Sequence, residues 1–334
     1  MWQYVVKQIF QRIFILFVIS FLAFIILGQM ADPVEILKTQ NPHITQVEIN
    51  EYKIRQGLNK PPVIRYFYWL KNVVMHGDFG TSRQYYIPNM RLLFQRIPNS
   101  IYLNAIIFLV VLIIALPLGV FSAIKQYSTF DYVFTFLAFT GAAIPGFWFG
   151  LLLILAFGVF PKPGYRLPFT GMYSDTINYG GKIFSYASAP GFAQFLDRLK
   201  HLILPVMTGS IHLAGLTRFT RSAFLEVIRQ DYIRTARAKG LPENKVIFTH
   251  ALRNAMIPMA TILIQSIPGL FGGSVILEQI FGWPGIGKLT YEALMANDYT
   301  LSMAAIIFFS TLTVLFTLIA DISYAFLDPR ITYR

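Results

Sequence analysis

Residues 101–124 read IYLNAIIFLVVLIIALPLGVFSAI, with no charged side chain from end to end. A helix that crosses a bilayer needs about 20 mainly apolar residues. Inside lipid each backbone polar group must be satisfied within the chain, so an isolated segment of this kind is a helix. Five more stretches share the pattern: Ile13–Met30, Tyr132–Phe160, His201–Thr217, Ala255–Leu277 and Leu301–Leu327. The expected fold class is therefore all-α integral membrane, with six transmembrane helices.

Composition agrees with that reading. Of 334 residues, 55% are apolar, 16% aromatic and only 13% charged. Soluble domains carry about 25% charged residues, so this chain cannot coat a water-facing surface. A cytosolic enzyme and a disordered chain are both excluded. The formal charge of +12 would suggest nucleic acid in a soluble chain. Here basic loops at an anionic membrane face account for it, and no nucleic-acid partner is expected. With no cysteine, disulfides, iron–sulfur clusters, thiolate zinc sites and cysteine nucleophiles drop out. The histidines (43, 76, 201, 212, 250) are scattered, without His-Glu-x-x-His, and Gly-x-Ser-x-Gly is absent. No catalytic residue, metal or cofactor is expected.

The first apolar stretch is too long for the core of a cleaved leader, and no small-x-small site precedes Asp32-Pro33. It reads as an uncleaved anchor. Six crossings place both ends of the chain on one side. Lys7 and Arg12, then Arg330 and Arg334, share that side with the basic connection 218–253, which carries Lys or Arg at 218, 221, 229, 234, 237, 239, 245 and 253. The positive-inside rule makes it cytoplasmic. Residues 31–98 are also basic, but long segments translocate largely regardless of charge. The organisation expected is residues 1–30 as tail and first span, and 31–98 as a small extracytoplasmic module. A five-helix core follows at 99–327, including a cytoplasmic loop at 218–254, and residues 328–334 form a cytoplasmic tail. Residues 161–200 form a second outer segment.

Pro117, Pro145-Gly146, Pro205 and Pro268-Gly269 interrupt the spans. Proline at membrane depth frees a carbonyl that protein or a watery cavity must satisfy. Singly these are ordinary kinks; together they suit helices around a transient path. Gly146-x-x-x-Gly150 permits close helix approach. No repeat between the halves is evident, which disfavours carriers built on inverted repeats.

The connection between spans four and five is the most informative. Ser222 reads as an N-cap, with Phe224, Leu225, Ile228, Tyr232 and Ala236 at helical spacing. Arg234, Arg237 and Lys239 load the last turn, Gly240 occupies the C′ position, and Pro242 opens the next helix. The expectation is helix, sharp turn, helix. Such a hairpin is either a lever seated in a soluble partner or a pair of helices resting on headgroups.

Arg234-Thr-Ala-Arg-Ala-Lys-Gly240 and His250-Ala-Leu-Arg-Asn-Ala-Met-Ile-Pro258 resemble the coupling loop of binding-protein-dependent ABC importer permeases. The form is that of the oligopeptide/dipeptide branch. Arg234-Thr235-Ala236 stands where the general motif has Glu-Ala-Ala, and His250-Ala251-Leu252-Arg253 stands where it has Ile-x-Leu-Pro. Met75-His-Gly-Asp-Phe-Gly80 and Asp328-Pro329-Arg330 are similar to that family too. The resemblance implies a first-type permease subunit with no ATPase of its own. It also implies as partners a homologous second permease, two ATP-binding subunits and an extracytoplasmic peptide-binding protein. Coupling would then run through Asp231, Arg234, Thr235, Ala236, Arg237, Ala238, Lys239, Gly240, Leu241, Arg253 and Asn254. The same family takes up nickel chelates and glutathione, and a self-sufficient ion-coupled carrier is the alternative from another class.

Gly282-Trp-Pro-Gly-Ile-Gly-Lys288-Leu289 nearly matches a phosphate-binding loop. Leu289 has no hydroxyl for Mg²⁺ and no buried strand precedes the glycines, so no ATP site is expected. The peptide permeases carry a similar segment, and it makes Glu278, Phe281, Pro284, Gly285 and Gly287 candidates for an outer gate or pathway. Glu278 either greets a peptide amino group or serves a structural partner. Asp321 is expected to pair with a cytoplasmic-side arginine, and His212 to be a packed polar residue.

Overall fold

The computed structural model describes residues 2–30, 44–55 and 59–327. Helix α1 is Trp2–Met30, α2 is Gln46–Arg55, α3 is Pro62–His76 and α4 is Asn89–Ile124. Helices α5 (Thr129–Ala143) and α6 (Gly146–Val159) follow, then strands β1 (Thr176–Tyr179) and β2 (Lys182–Ser185). The rest is helical: α7 Gly191–Gly209, α8 Leu213–Ile228, α9 Asp231–Ala238, α10 Glu243–Phe271, α11 Val275–Ile280, α12 Ile286–Met295 and α13 Tyr299–Leu327.

Among the described residues, α1, α4, α10 and α13 are each long and apolar enough to cross a membrane. The pairs α5–α6 and α7–α8 pass the same test jointly, which brings the number of crossings to as many as six. Each pair is bent, by 100° and 62° respectively. Spans three and four, expected to be kinked helices, are each a pair of helices meeting at a sharp bend. The cause of the sharper bend is local. Pro145 disfavours the helical region for the residue before it, and Ile144 is extended at φ −81°, ψ 126°.

Other boundaries also move. The helix of span two starts at Asn89, twelve residues before the apolar run, so the end of the 31–98 module is the first three turns of α4. Span five ends at Phe271, and Val275–Ile280 is a separate helix. The segment 161–200 holds an antiparallel hairpin in register Thr176↔Ser185 to Tyr179↔Lys182. Residues 31–43 of the module and the Asp328-Pro329-Arg330 motif lie outside the described residues, as does the side chain of His212.

Helices α4 and α8 pack closely, because a Cβ on Gly119 would come within 2.5 Å of Thr220. Gly150 of α6 lies against Thr208 of α7 in the same way, at 3.1 Å. Two ion pairs staple the bundle at the end that carries the basic connection. Arg221 of α8 grips Asp131 of α5 with both Nε and Nη2, at 3.0 and 2.8 Å. Arg12 of α1 pairs with Asp321 of α13, as the charge pattern predicts.

Candidate functional site

The basic connection departs from expectation at its start. Ser222 is no cap; it sits inside α8, which runs on without a break from Leu213 to Ile228. The chain then breaks at Arg229-Gln230, with Gln230 extended at φ −72°, ψ 151°, before the short helix α9. The period of apolar residues runs through this break unchanged, so pattern alone could not find it.

The end of α9 is as expected. Gly240 adopts φ +73°, a region that costs a side chain with a Cβ and costs glycine nothing. Its N–H reaches Arg237 O at 2.9 Å, and Leu241 N–H reaches Ala236 O at 3.4 Å. Those are the two bonds of a Schellman motif, with Leu241 packed beneath as its apolar seal. Pro242 then precedes Glu243, the first residue of α10.

One face of α9 is fastened down. Ile233 and Ala236 are buried against Val120, Ala123, Phe224, Val246, Ile247, Ala251 and Ala255. This core ties the hairpin to α4, α8 and α10 together. The other face is bare: Asp231, Arg234, Thr235, Arg237, Ala238, Lys239 and Gly240 are exposed. Arg237 folds back onto Glu243 through Nε at 3.1 Å and Nη2 at 2.6 Å, bracing the turn. Arg253 and Asn254 are exposed in α10, three turns beyond Glu243. The first part of α10, Val246–Ala251, is wound as a π-helix, a form that recurs at functional positions. Of the eleven expected coupling residues, Ala236 is buried and Leu241 half-buried; the other nine are exposed.

The glycine-rich segment after α11 is a closed structure. Glu278 is fully buried. It accepts from Ser100 Oγ at 2.7 Å, Lys288 N–H at 3.0 Å and Ser274 N–H at 3.3 Å. Gly287 N–H also points to it. Burial pushes its carboxyl above the usual range, against the pull of these hydrogen bonds. The cradle of N–H groups that mimics a phosphate loop is therefore filled by the chain's own carboxylate. A Cβ on Gly285 would lie 2.4 Å from Glu278 Oε2 and 2.5 Å from Ser100 Oγ, so only glycine fits there.

Ser100 accepts from Ile286 N–H at 2.8 Å, Asn99 Nδ2 donates to Pro284 O at 2.8 Å, and Trp283 Nε1 donates to Asn99 O at 2.9 Å. Phe281, Gly285 and Gly287 are buried and Pro284 is half-buried. Glu278 thus serves structural partners and presents nothing to a passing solute in this conformation. Another buried carboxylate was missed in the sequence. Asp298, 1% exposed, accepts from Ser82 Oγ at 2.6 Å, Arg83 N–H at 2.8 Å and Gln84 N–H at 3.1 Å. It locks the 82–84 loop to the start of α13.

Comparison with known proteins matches this architecture. Residues 115–333 fit the family described as binding-protein-dependent transport system inner membrane component, and residues 1–101 fit that family's N-terminal region. The chain is 42% identical to "Oligopeptide transport system permease protein AppB" of Bacillus subtilis (strain 168), over 99% of both chains. It is 35% identical to "Dipeptide transport system permease protein DppB" of Escherichia coli (strain K12), over 83% of both. It is 36% identical to "Di/tripeptide transport system permease protein DppB" of Pseudomonas aeruginosa (strain UCBPP-PA14), over 91% of this chain and 90% of that one. A multi-pass helical bundle, a braced basic hairpin between two crossings and these matches agree: the chain belongs to the binding-protein-dependent transport system inner membrane components.

Proposed function

We propose that the chain is a membrane-spanning permease subunit of an ATP-driven peptide importer, and that its basic hairpin is the seat of the motor. The observation that carries this reading is the two-sidedness of α9. Its inner face shares one apolar core with α4, α8 and α10, and its outer face offers unburied cations and a stiff turn. Force applied to that outer face reaches three crossings at once. The relatives, named as oligopeptide, dipeptide and di/tripeptide permeases, support peptides as the cargo.

In this reading ATP is hydrolysed by two partner subunits on the cytoplasmic side, a homologous permease completes the path, and an extracytoplasmic binding protein delivers the peptide. The test is Gly240→Val. A β-branched residue at φ +73° costs about 1–3 kcal/mol, spent within an exposed turn. The variant inserts normally, loses its ATP-binding subunits on purification and takes up no peptide. Wild-type uptake by this variant contradicts the lever.

A further inference from the structure

Helix α3, Pro62–His76, has no part in the function above. Its one fully buried side chain is Tyr66. The ring packs edge-on against Phe17, Phe21 and Phe24 of α1, with centroids 5.7, 5.1 and 5.6 Å away. The hydroxyl shares a 2.6 Å hydrogen bond with Ser20 Oγ. Trp69, one turn on, lies 6.0 Å from Phe24. So α3 is bolted to α1 between Phe17 and Phe24.

That level is inside the membrane. Helix α1 runs on past Gly28 to Met30. Its only cations, Lys7 and Arg12, lie near its start, and Arg12 is paired with Asp321. Ser20 lies midway between Arg12 and Gly28, about 12 Å from each at 1.5 Å per residue. A bilayer's hydrocarbon is about 30 Å thick. Tyr66 therefore meets α1 at membrane depth and not above it.

The side of α3 turned away from α1 is uncovered among the described residues and mostly apolar, with the exposed Lys71 among its apolar side chains. Val63, Ile64, Phe67, Val74 and Met75 are exposed there, Phe67 by 53% and Val74 by 71%. The Phe67 ring is 6.4 Å from Phe17, which is itself exposed. The face thus continues the lipid-facing side of α1 formed by Phe10, Ile13 and Phe14. The cations of α3 are on long stems that can rise to headgroups. Arg65 lies over the Phe24 ring, and the neighbouring Lys60 lies over the Tyr68 ring at 4.1 Å.

We infer that α3 is sunk into the bilayer against the half of α1 remote from the coupling hairpin, as an amphipathic helix whose partner is lipid. Ile64, Phe67, Val74 and Met75 take acyl chains, and Lys60 and Lys71, on long stems, take phosphate headgroups. The segment after the first crossing is then in part a membrane-seated element rather than a water-borne module. This rests on α1 crossing the membrane and is independent of what is transported.

The chain contains no cysteine, so single nitroxide labels can be placed on Phe67→Cys, Val74→Cys and, as a water-facing reference, Lys182→Cys in β2. Each variant is read in lipid bilayers within the assembled transporter. Oxygen should relax labels 67 and 74 several-fold more strongly than a water-soluble nickel chelate does, with the reverse at 182. Strong relaxation of 67 and 74 by the nickel chelate puts α3 in water. Weak relaxation by both reagents puts protein over the face. Either result overturns the inference.

Discussion

At the scale of single residues, Glu278 and Gly240 bear most on stability and function. Replacing Glu278 by Ala strands Ser100 Oγ and the N–H groups of Ser274, Gly287 and Lys288. A buried group left unpaired costs about 1–3 kcal/mol. Glu278→Ala should therefore lower the thermal unfolding temperature of the purified subunit markedly. Glu278→Gln keeps an acceptor in the cradle and should lose much less. The pH dependence has a definite sign. Because burial raises the folded pKa of Glu278, its neutral form is favoured in the fold. The stabilising contribution is full below the ordinary value of about 4.5 and declines as pH rises through the folded value. The Gln variant should lack that component of the stability–pH curve. At Gly240, Asn tolerates the left-handed region better than Val does, so Gly240→Asn should keep part of the uptake that Gly240→Val loses.

At the scale of elements, the hairpin depends on how firmly α9 is held. Ile233→Ala removes the largest side chain that α9 buries and should cost about 2–4 kcal/mol of local packing. Trypsin should then cut at Arg229, Arg234 or Lys239 far faster than in the parent, with insertion unchanged. Parent-like resistance would show that α9 is held by something other than this core. The same element shows what a sequence can disclose. The Gly240 turn was legible because φ > 0, a basic last turn and a following proline coincide in a few residues. The break at Arg229-Gln230 was not, since no glycine or proline marks it and the apolar period runs through it. Pro145 announced a kink, but length and hydropathy do not distinguish a straight crossing from two helices at 100°. The β-hairpin did have a signal: Gly180-Gly181 between two four-residue runs suits a two-residue turn, and both glycines adopt φ > 0. Membrane-scale apolarity elsewhere masked it. Asp298 and Tyr66 act across more than two hundred and more than forty residues respectively, and no local pattern reports partners that far apart.

At the scale of the whole molecule, the proposed orientation rests on where the cations lie. A lone Cys at Ser222, beside the hairpin, should resist an impermeant thiol reagent in intact cells, and one at Lys182 should react. The opposite outcome would invert the proposed topology and remove the motor from reach of ATP. Within that frame, the buried carboxylates Glu278 and Asp298 have a mechanical consequence. One sews α11 and the loop before α12 to α4; the other sews the 82–84 loop to α13. The rim remote from the basic hairpin is thereby riveted into a single plate. A plate of that kind tilts but does not unzip, so any doorway for a solute must open along its border. Such a tilt would turn on breaks in the crossings such as the elbows at Ile144-Pro145 and at Ser210–His212.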